Sequence, residues 1–437
     1  MSLTTIILIG VAIFLILMFL RMPIGLAMAL VGFIGIAMVR GLTAALSNVG
    51  GIAYTTAISY HLSVIPLFIL MGVLAGYGGV SKGAFSALHK WVGHLRGGLA
   101  MATTGACAAF GAVCGDHIAT AATMCSAALP EMRRYKYSDE LSLGCIASGG
   151  NLGFLIPPSA AFIVYGFVTQ VSVGQLFMAG ILPGLLLTLL FWVAIYIQCR
   201  VNPKLALPGP KVGWVERLVS LKDIWGIFLL FVVVMGGIYA GFFTPTEAGA
   251  VGAAATFLLG LASRQLTWKK FVDALLETVK TTALIFLLII GAMIFSTFLT
   301  ITEITITLAN FIEGWQVNPY IILATILIFY VITGFFMDIF ALLIVSLPIV
   351  FPIVVTTLGF DPVYFGVLAV LTIVMGSISP PVGVVVFAVH GIVRDVPLFT
   401  IFRGCLPFLA AMFVCLIILT AFPEISLLIP NLMMPYR

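Results

Sequence analysis

The stretch SGGNLGFLIPPS, residues 148–159, places three glycines, an asparagine and a proline pair inside a long apolar region. A membrane helix would want leucine there. The same Gly-x-x-x-Pro-Pro core returns in MGSISPPVGVVVF, residues 375–387. Around these breaks, uncharged apolar runs recur at the length of about 17–25 residues that crosses a bilayer core. The 437 residues are 62% hydrophobic and 8% charged, with mean hydropathy +1.25. The runs lack the apolar-polar alternation of a membrane barrel. The chain is therefore expected to be an all-α polytopic membrane protein.

The two breaks belong to an internal duplication. Pro23 and Pro245, Met71 and Met293, Asp116 and Asp338, Pro130 and Pro352, Asp139 and Asp361, and Gly144 and Gly366 are each 222 residues apart. The spacing becomes 223 for Gly153/Gly376, Pro157/Pro380 and Pro158/Pro381, and 224 for Gly180/Gly404 and Pro183/Pro407. The halves run over 1–200 and 223–437, joined by a polar linker over 201–222. In the first, spans are expected at about 4–20, 23–39, 62–79 and 175–199, with a re-entrant hairpin at 97–132 and a broken span at 138–169. The second hairpin is placed at 317–354 and its broken span at 362–394.

Five crossings per half is an odd number, so the second half should be inverted relative to the first. The basic residues test this. With the N-terminus outside, 18 of the 20 fall on the cytoplasmic side, leaving Arg40 and Arg437 outside with both termini. Reading 97–132 as a full crossing would scatter the charge. The N-terminal run has no basic n-region or cleavage site, so it reads as a span and not a signal peptide. The seven cysteines show no Cys-x-x-Cys pair and read as small packing residues. The net charge of +5 follows membrane orientation and does not point to nucleic acid.

Non-helical backbone at membrane depth needs protein or a wet cavity around it, and paired interruptions in inverted repeats point to a transport site. Two aspartates, Asp116 and Asp338, occupy equivalent hairpin tips, and a carboxylate at that depth is a functional candidate. The alternative is an aspartate that simply caps the following helix. At the breaks, backbone carbonyls of Ser148, Gly149, Gly150, Gly376 and Ser377, with the side chains of Asn151, Ser377 and Ser379, suit a hard cation. Helices restarting at Pro157-Pro158 and Pro380-Pro381 should carry proline in the first turn. Their N-terminal ends, flanked by Asn151, Ser159 and Ser379, suit a substrate carboxylate. Simple proline kinking is the plainer reading. His117 is a candidate proton-sensitive neighbour of Asp116, or an ordinary packing residue. QLTWKKFVDALLETVK, residues 265–280, reads as an interfacial helix. Residues 81–94 and 302–315 read as surface arms before each hairpin.

GGNLGFLIPPS at 149–159, TPTEAGAVG at 244–252, MDIFALLIVSLPIVFPI at 337–353, SPPVGVVVF at 379–387 and RGCLPF at 403–408 resemble the large membrane subunit of the tripartite ATP-independent periplasmic (TRAP) transporters. The resemblance covers essentially the whole chain. It implies an inner-membrane, sodium-driven importer of an organic acid working by an elevator movement. It also implies two partners, a small four-helix membrane subunit and a periplasmic substrate-binding protein. Sodium sites would fall between Cys114–Thr120 (Cys114, Gly115, Asp116, Thr120) and Ser148–Asn151, and around Asp338 with Gly376–Ser379. No cofactor is implied beyond sodium as coupling ion. The first tip departs from the family: Cys114-Gly115-Asp116 stands where Ser-Gly-Ser is usual, and Asn151 replaces a usual threonine.

Other classes fit less well. An intramembrane aspartyl protease would need Gly at position 113, which is Val113. No phosphate-binding Gly-x-x-x-x-Gly-Lys motif is present, so nucleotide is not the energy source. A stand-alone anion exchanger or proton-coupled carrier of related fold is the nearer rival.

Overall fold

The structure is a computed structural model that describes residues 3–20, 22–207, 209, 212–304, 307 and 317–433. Arg21, Lys211, Arg437 and most of the arm expected at 302–315 lie outside the described residues. Seven helical segments are long and apolar enough to cross a membrane, with shorter apolar helices between them.

The first half opens with Leu3–Phe19 and Ile24–Arg40. A helix at Leu42–Ala57 follows that the hydropathy pattern did not suggest, because LSNVGG interrupts its apolar face. Next come Val64–Tyr77 and the arm Val80–Val92. The first hairpin is Gly98–Cys114 and His117–Arg134, with its tip at Gly115-Asp116. The first broken span comprises Asp139–Gly150, a single turn Leu152–Leu155, an extended stretch, and Ala160–Thr169. Val173–Val201 closes the half.

In the second half, Trp214–Phe231 and Pro245–Ala262 precede one helix of 34 residues, Trp268–Ile301. The stretch 265–280 is thus no separate interfacial helix. Nothing between Lys280 and Leu284 breaks the backbone, so the charged turns run straight into the apolar ones. The second hairpin is Pro319–Gly334 and Ile339–Phe351, extended by a π-helical turn at Pro352–Thr357. Its broken span is Pro362–Gly376 and Val384–Ile392, and Leu398–Ala421 and Glu424–Met433 complete the chain.

Packing pairs recur at matched positions. Ala160–Thr169 packs on the second hairpin's Ile339–Phe351, while Val384–Ile392 packs on the first hairpin's His117–Arg134. Asp139–Gly150 lies on Leu398–Ala421, and Pro362–Gly376 lies on Val173–Val201. Ile24–Arg40 packs on Trp268–Ile301, and Pro245–Ala262 on Val64–Tyr77. Each broken span is therefore clasped by elements of the other half.

Close backbone approach makes these crossings possible, since helices in lipid associate through small residues. A Cβ on Gly404 would fall 2.0 Å from the Glu140 carbonyl oxygen, and one on Gly144 would fall 2.3 Å from that of Gly404. Arg133 ties this end of the molecule together. It reaches Asp139 at 2.9 Å and Asp395 at 2.8 Å, linking the first hairpin to both broken spans. These groups are partly exposed, so the bridges position more than they stabilise.

Gly404→Ala should lower the apparent unfolding temperature of the purified protein, the overpacking costing about 1–3 kcal/mol. Gly50→Ala, where an added Cβ meets nothing within 4 Å, should not. Equal unfolding temperatures for the two variants would contradict the crossing.

Candidate functional site

Both hairpin tips turn on an aspartate. At the first, Gly115 ends its helix in a left-handed conformation (φ +65°), and Asp116 caps the next helix by accepting from the Ala119 N–H at 2.7 Å. Thr120 is buried, and its hydroxyl donates to the Asp116 carbonyl at 2.6 Å. At the second, Asp338 accepts from the Phe340 N–H at 3.0 Å. Capping is therefore a role both carboxylates hold. Each keeps one oxygen outside these cap bonds, and both are half-buried.

The two aspartates line one cavity of about 550 Å³, walled by Pro23, Phe68, Phe340 and the long helix Trp268–Ile301. Cys114 and Gly115 line it too, and so does Glu277, from the stretch read as an interfacial helix. The cavity lies where the hairpin tips face the helices Ile24–Arg40, Val64–Tyr77 and Trp268–Ile301. Its lining is mostly apolar and carries no lysine or arginine.

Each tip rests on a break. The N–H of Ala160, at the start of its helix, donates to the Gly115 carbonyl at 3.1 Å. A Cβ on Gly150 would meet the His117 carbonyl at 2.7 Å, and one on Gly153 the Asp116 carbonyl at 2.8 Å. In the second half, a Cβ on Gly376 would fall 2.6 Å from the Gly334 Cα. His117 is buried, stacked on Phe154 with ring centroids 4.3 Å apart. Its Nδ1 is 3.8 Å from the Asp116 carboxylate. Phe154 in turn meets Phe340 edge-on at 5.4 Å, so one aromatic column joins tip one, break one and tip two.

The breaks differ from the sequence reading in three respects. Their carbonyls are not free: Ser148 and Gly149 accept from the Asn151 N–H, Gly376 from the Ser379 N–H at 3.1 Å, and Ser377 from the Val385 N–H at 3.1 Å. A second cation contact would need the remaining lone pair of each oxygen. The proline pairs do not open the helices. Pro157-Pro158 precedes the N-cap Ser159, whose hydroxyl accepts from the Phe162 N–H, and Pro380-Pro381 precedes the N-cap Gly383. Both Pro-Pro bonds are cis. Proline, which has no N–H to give a helix, occupies a bent connector where the first turn was expected.

The third difference concerns Asn151. Its amide nitrogen donates to the Val374 carbonyl at 2.9 Å, and its oxygen accepts from the Ser377 hydroxyl at 2.9 Å. The side chain joins the two breaks, which leaves its oxygen one lone pair and its nitrogen one N–H for any other contact. Ser379 is likewise engaged, donating to the Met375 carbonyl at 2.7 Å. Of the candidate residues, Cys114, Gly115, Asp116 and Asp338 line the cavity. Ser148–Asn151, Gly376, Ser377 and Ser379 form a buried layer behind it.

A family model described as "Tripartite ATP-independent periplasmic transporter, DctM component" matches residues 11–425. The chain belongs to this family. Among relatives of the TRAP family, the C4-dicarboxylate large permease protein DctM of Pseudomonas aeruginosa is 39% identical over 86% of this chain and 88% of its own. The sialic acid large permease protein SiaM of Vibrio cholerae is 33% identical over 96% of this chain and 97% of its own. The isethionate permease protein DctMQ of Oleidesulfovibrio alaskensis is 34% identical over 87% of this chain, which spans 59% of that longer protein. The YdaH transporter of Alcanivorax borkumensis, a crystal structure of unusual topology, superposes with a TM-score of 0.66 at 14% identity, over 88% of this chain and 89% of its own. That likeness concerns the fold. As a TRAP large permease, the chain is a transport protein and not an enzyme.

The Asn151 bridge makes a measurable claim. Asn151→Ala removes two buried hydrogen bonds between the breaks, although Ser377 still donates to the Val374 carbonyl at 2.7 Å, and should cost about 1–3 kcal/mol. Asn151→Ala and Ser377→Ala should be non-additive in thermal unfolding, as residues sharing a hydrogen bond are. Strict additivity would mean that the bridge does not form.

Proposed function

We propose that this TRAP large permease carries a small organic acid inward across the inner membrane, driven by sodium. The reading has it built as two inverted repeats, of about 1–200 and 223–437 around a linker at 201–222. The carrying observation is the pair of matched tip carboxylates, Asp116 and Asp338, facing one cavity between the hairpins and the flanking helices. Packing exchanged between corresponding elements of the halves supports the repeat. Asn151 supports it further, since it bonds Val374, which lies at the same 223-residue offset that relates Gly153 to Gly376. A residue that touches its own counterpart sits on the axis relating the halves.

In mechanism, a sodium ion at each tip is held by the carboxylate oxygen outside the cap bonds, with the remaining lone pairs of nearby carbonyls completing the oxygen shell. Binding neutralises the two carboxylates, so that an anionic cargo can share the cavity. The hairpins and broken spans, locked by Asn151 and the glycine contacts, then move together against Ile24–Arg40, Val64–Tyr77 and Trp268–Ile301 as scaffold. The relatives are named for a C4-dicarboxylate, sialic acid and isethionate, all organic acids. The extra length of DctMQ supports a separate small membrane subunit as partner here. A periplasmic binding protein would deliver the cargo, and both termini would face the periplasm.

The test is thermal stability of the purified protein in sodium against equal potassium or choline. Sodium at a hundred times its dissociation constant should stabilise by about 2.7 kcal/mol. Asp116→Asn and Asp338→Asn should each blunt that rise while keeping the fold, because asparagine caps a helix as well as aspartate does. A protein indifferent to sodium at every pH would point instead to proton coupling or to an exchanger.

A further inference from the structure

A second cavity, of about 370 Å³, adjoins the one at the hairpin tips. It runs beside the first hairpin toward Gly79, Ser81, Ser126 and Ala127, the side read from the charges as cytoplasmic. The two cavities share five lining residues: Val73, Cys114, Ala119, Ala122 and Glu277. Four are apolar or a buried thiol. Among the described residues, Glu277 is the only charged group shared by the two cavities, and no lysine or arginine lines either. Its carboxylate accepts from the Tyr77 hydroxyl at 3.3 Å, which aims it from the long helix toward the helix Val64–Tyr77. Among the described residues, no three His, Cys, Asp or Glu side chains converge closely enough to hold one metal ion. Glu277 therefore does not complete a site with Asp116 and Asp338.

We propose that Glu277 is a waypoint for the coupling cation, the group that makes the passage between tip cavity and cytoplasmic mouth cation-selective. The proposal rests on the sodium-coupled reading. A single carboxylate in a cleft with mostly apolar walls repels anions and gathers cations, and focused fields of this kind change encounter rates by 10–10³-fold. Its place on Trp268–Ile301, and not on a hairpin, fixes it to the helices against which the tips are proposed to move. A cation leaving a tip would thus meet a stationary carboxylate on its way out. The Tyr77 bond holds that carboxylate to one wall and keeps it from folding across the passage.

The test uses the full-length protein in proteoliposomes and two thiol reagents of similar size, a trimethylammonium and a sulfonate methanethiosulfonate. Cys114 lines the same junction, so the labelling is done in a Cys114→Ala protein, whose six remaining native cysteines are buried, and that parent is labelled in parallel. An Ala122→Cys thiol at the junction should react on the order of 10-fold faster with the cationic reagent. Adding Glu277→Gln should bring the two rates together, whereas Asp273→Asn, on the same helix but lining neither cavity, should leave the preference intact. A preference that survives Glu277→Gln, or a thiol that neither reagent reaches, overturns the proposal. The sodium-dependent rise in unfolding temperature separates the two ideas. It should persist in Glu277→Gln; its loss there alone would make Glu277 part of a tip site and end its role as a waypoint. Absence of the rise in the parent protein would count against the sodium reading while the labelling preference still reported on the junction.

Discussion

The amide of Asn151 holds together two pieces of backbone that could not survive in lipid apart. Each broken span leaves helix ends inside the membrane region, where every unpaired peptide group is costly. One side chain, donating to Val374 and accepting from Ser377, lets each interruption help satisfy the other. The rest of the layer follows from that contact. Tip one presses on Gly150 and Gly153, tip two on Gly376, and the two Pro-Pro connectors lead back into helix on opposite sides. The two interruptions are one structure made from both ends of the chain.

This division of labour explains the different roles of polar groups near the site. Buried hydroxyls and amides at the breaks, those of Asn151, Ser377 and Ser379, are engaged with backbone and serve the architecture. The groups with capacity in reserve are the tip carboxylates, which line one cavity and each use one oxygen for the cap. The aromatic column of His117, Phe154 and Phe340 sets the separation of the tips. A rearrangement at one aspartate has a packed path to the other.

Much of the all-helical architecture was legible in the sequence from its apolar runs and from the glycines and prolines that interrupt them. What escaped was set by tertiary contact. Nothing local distinguishes an asparagine that ligates from one that bridges, so the bond Asn151 makes to partners more than 200 residues away could not be read from the sequence. The proline pairs suggested a first helical turn, but Ser159 and Gly383 start the helices later. Glu277 was hidden by its neighbours: KKFVDALLETVK has the charge pattern of a surface helix, and only the uninterrupted run into Thr281 and Leu284 hints that it continues inward. The helix Leu42–Ala57 was missed because its polar residues mask its period.

The 34 residues of Trp268–Ile301 have a further consequence. At 1.5 Å per residue the helix is roughly 51 Å long, against a hydrocarbon layer of about 30 Å. Even a steep tilt of about 40° leaves its length along the normal near 39 Å. Its opening turn, with Lys269 and Lys270, therefore stands beyond the hydrocarbon, and Glu277 lies about two turns further in toward the tips. Bilayer thickness then sets how far the mouth of the inner passage lies from bulk water, and a thinner membrane brings it closer.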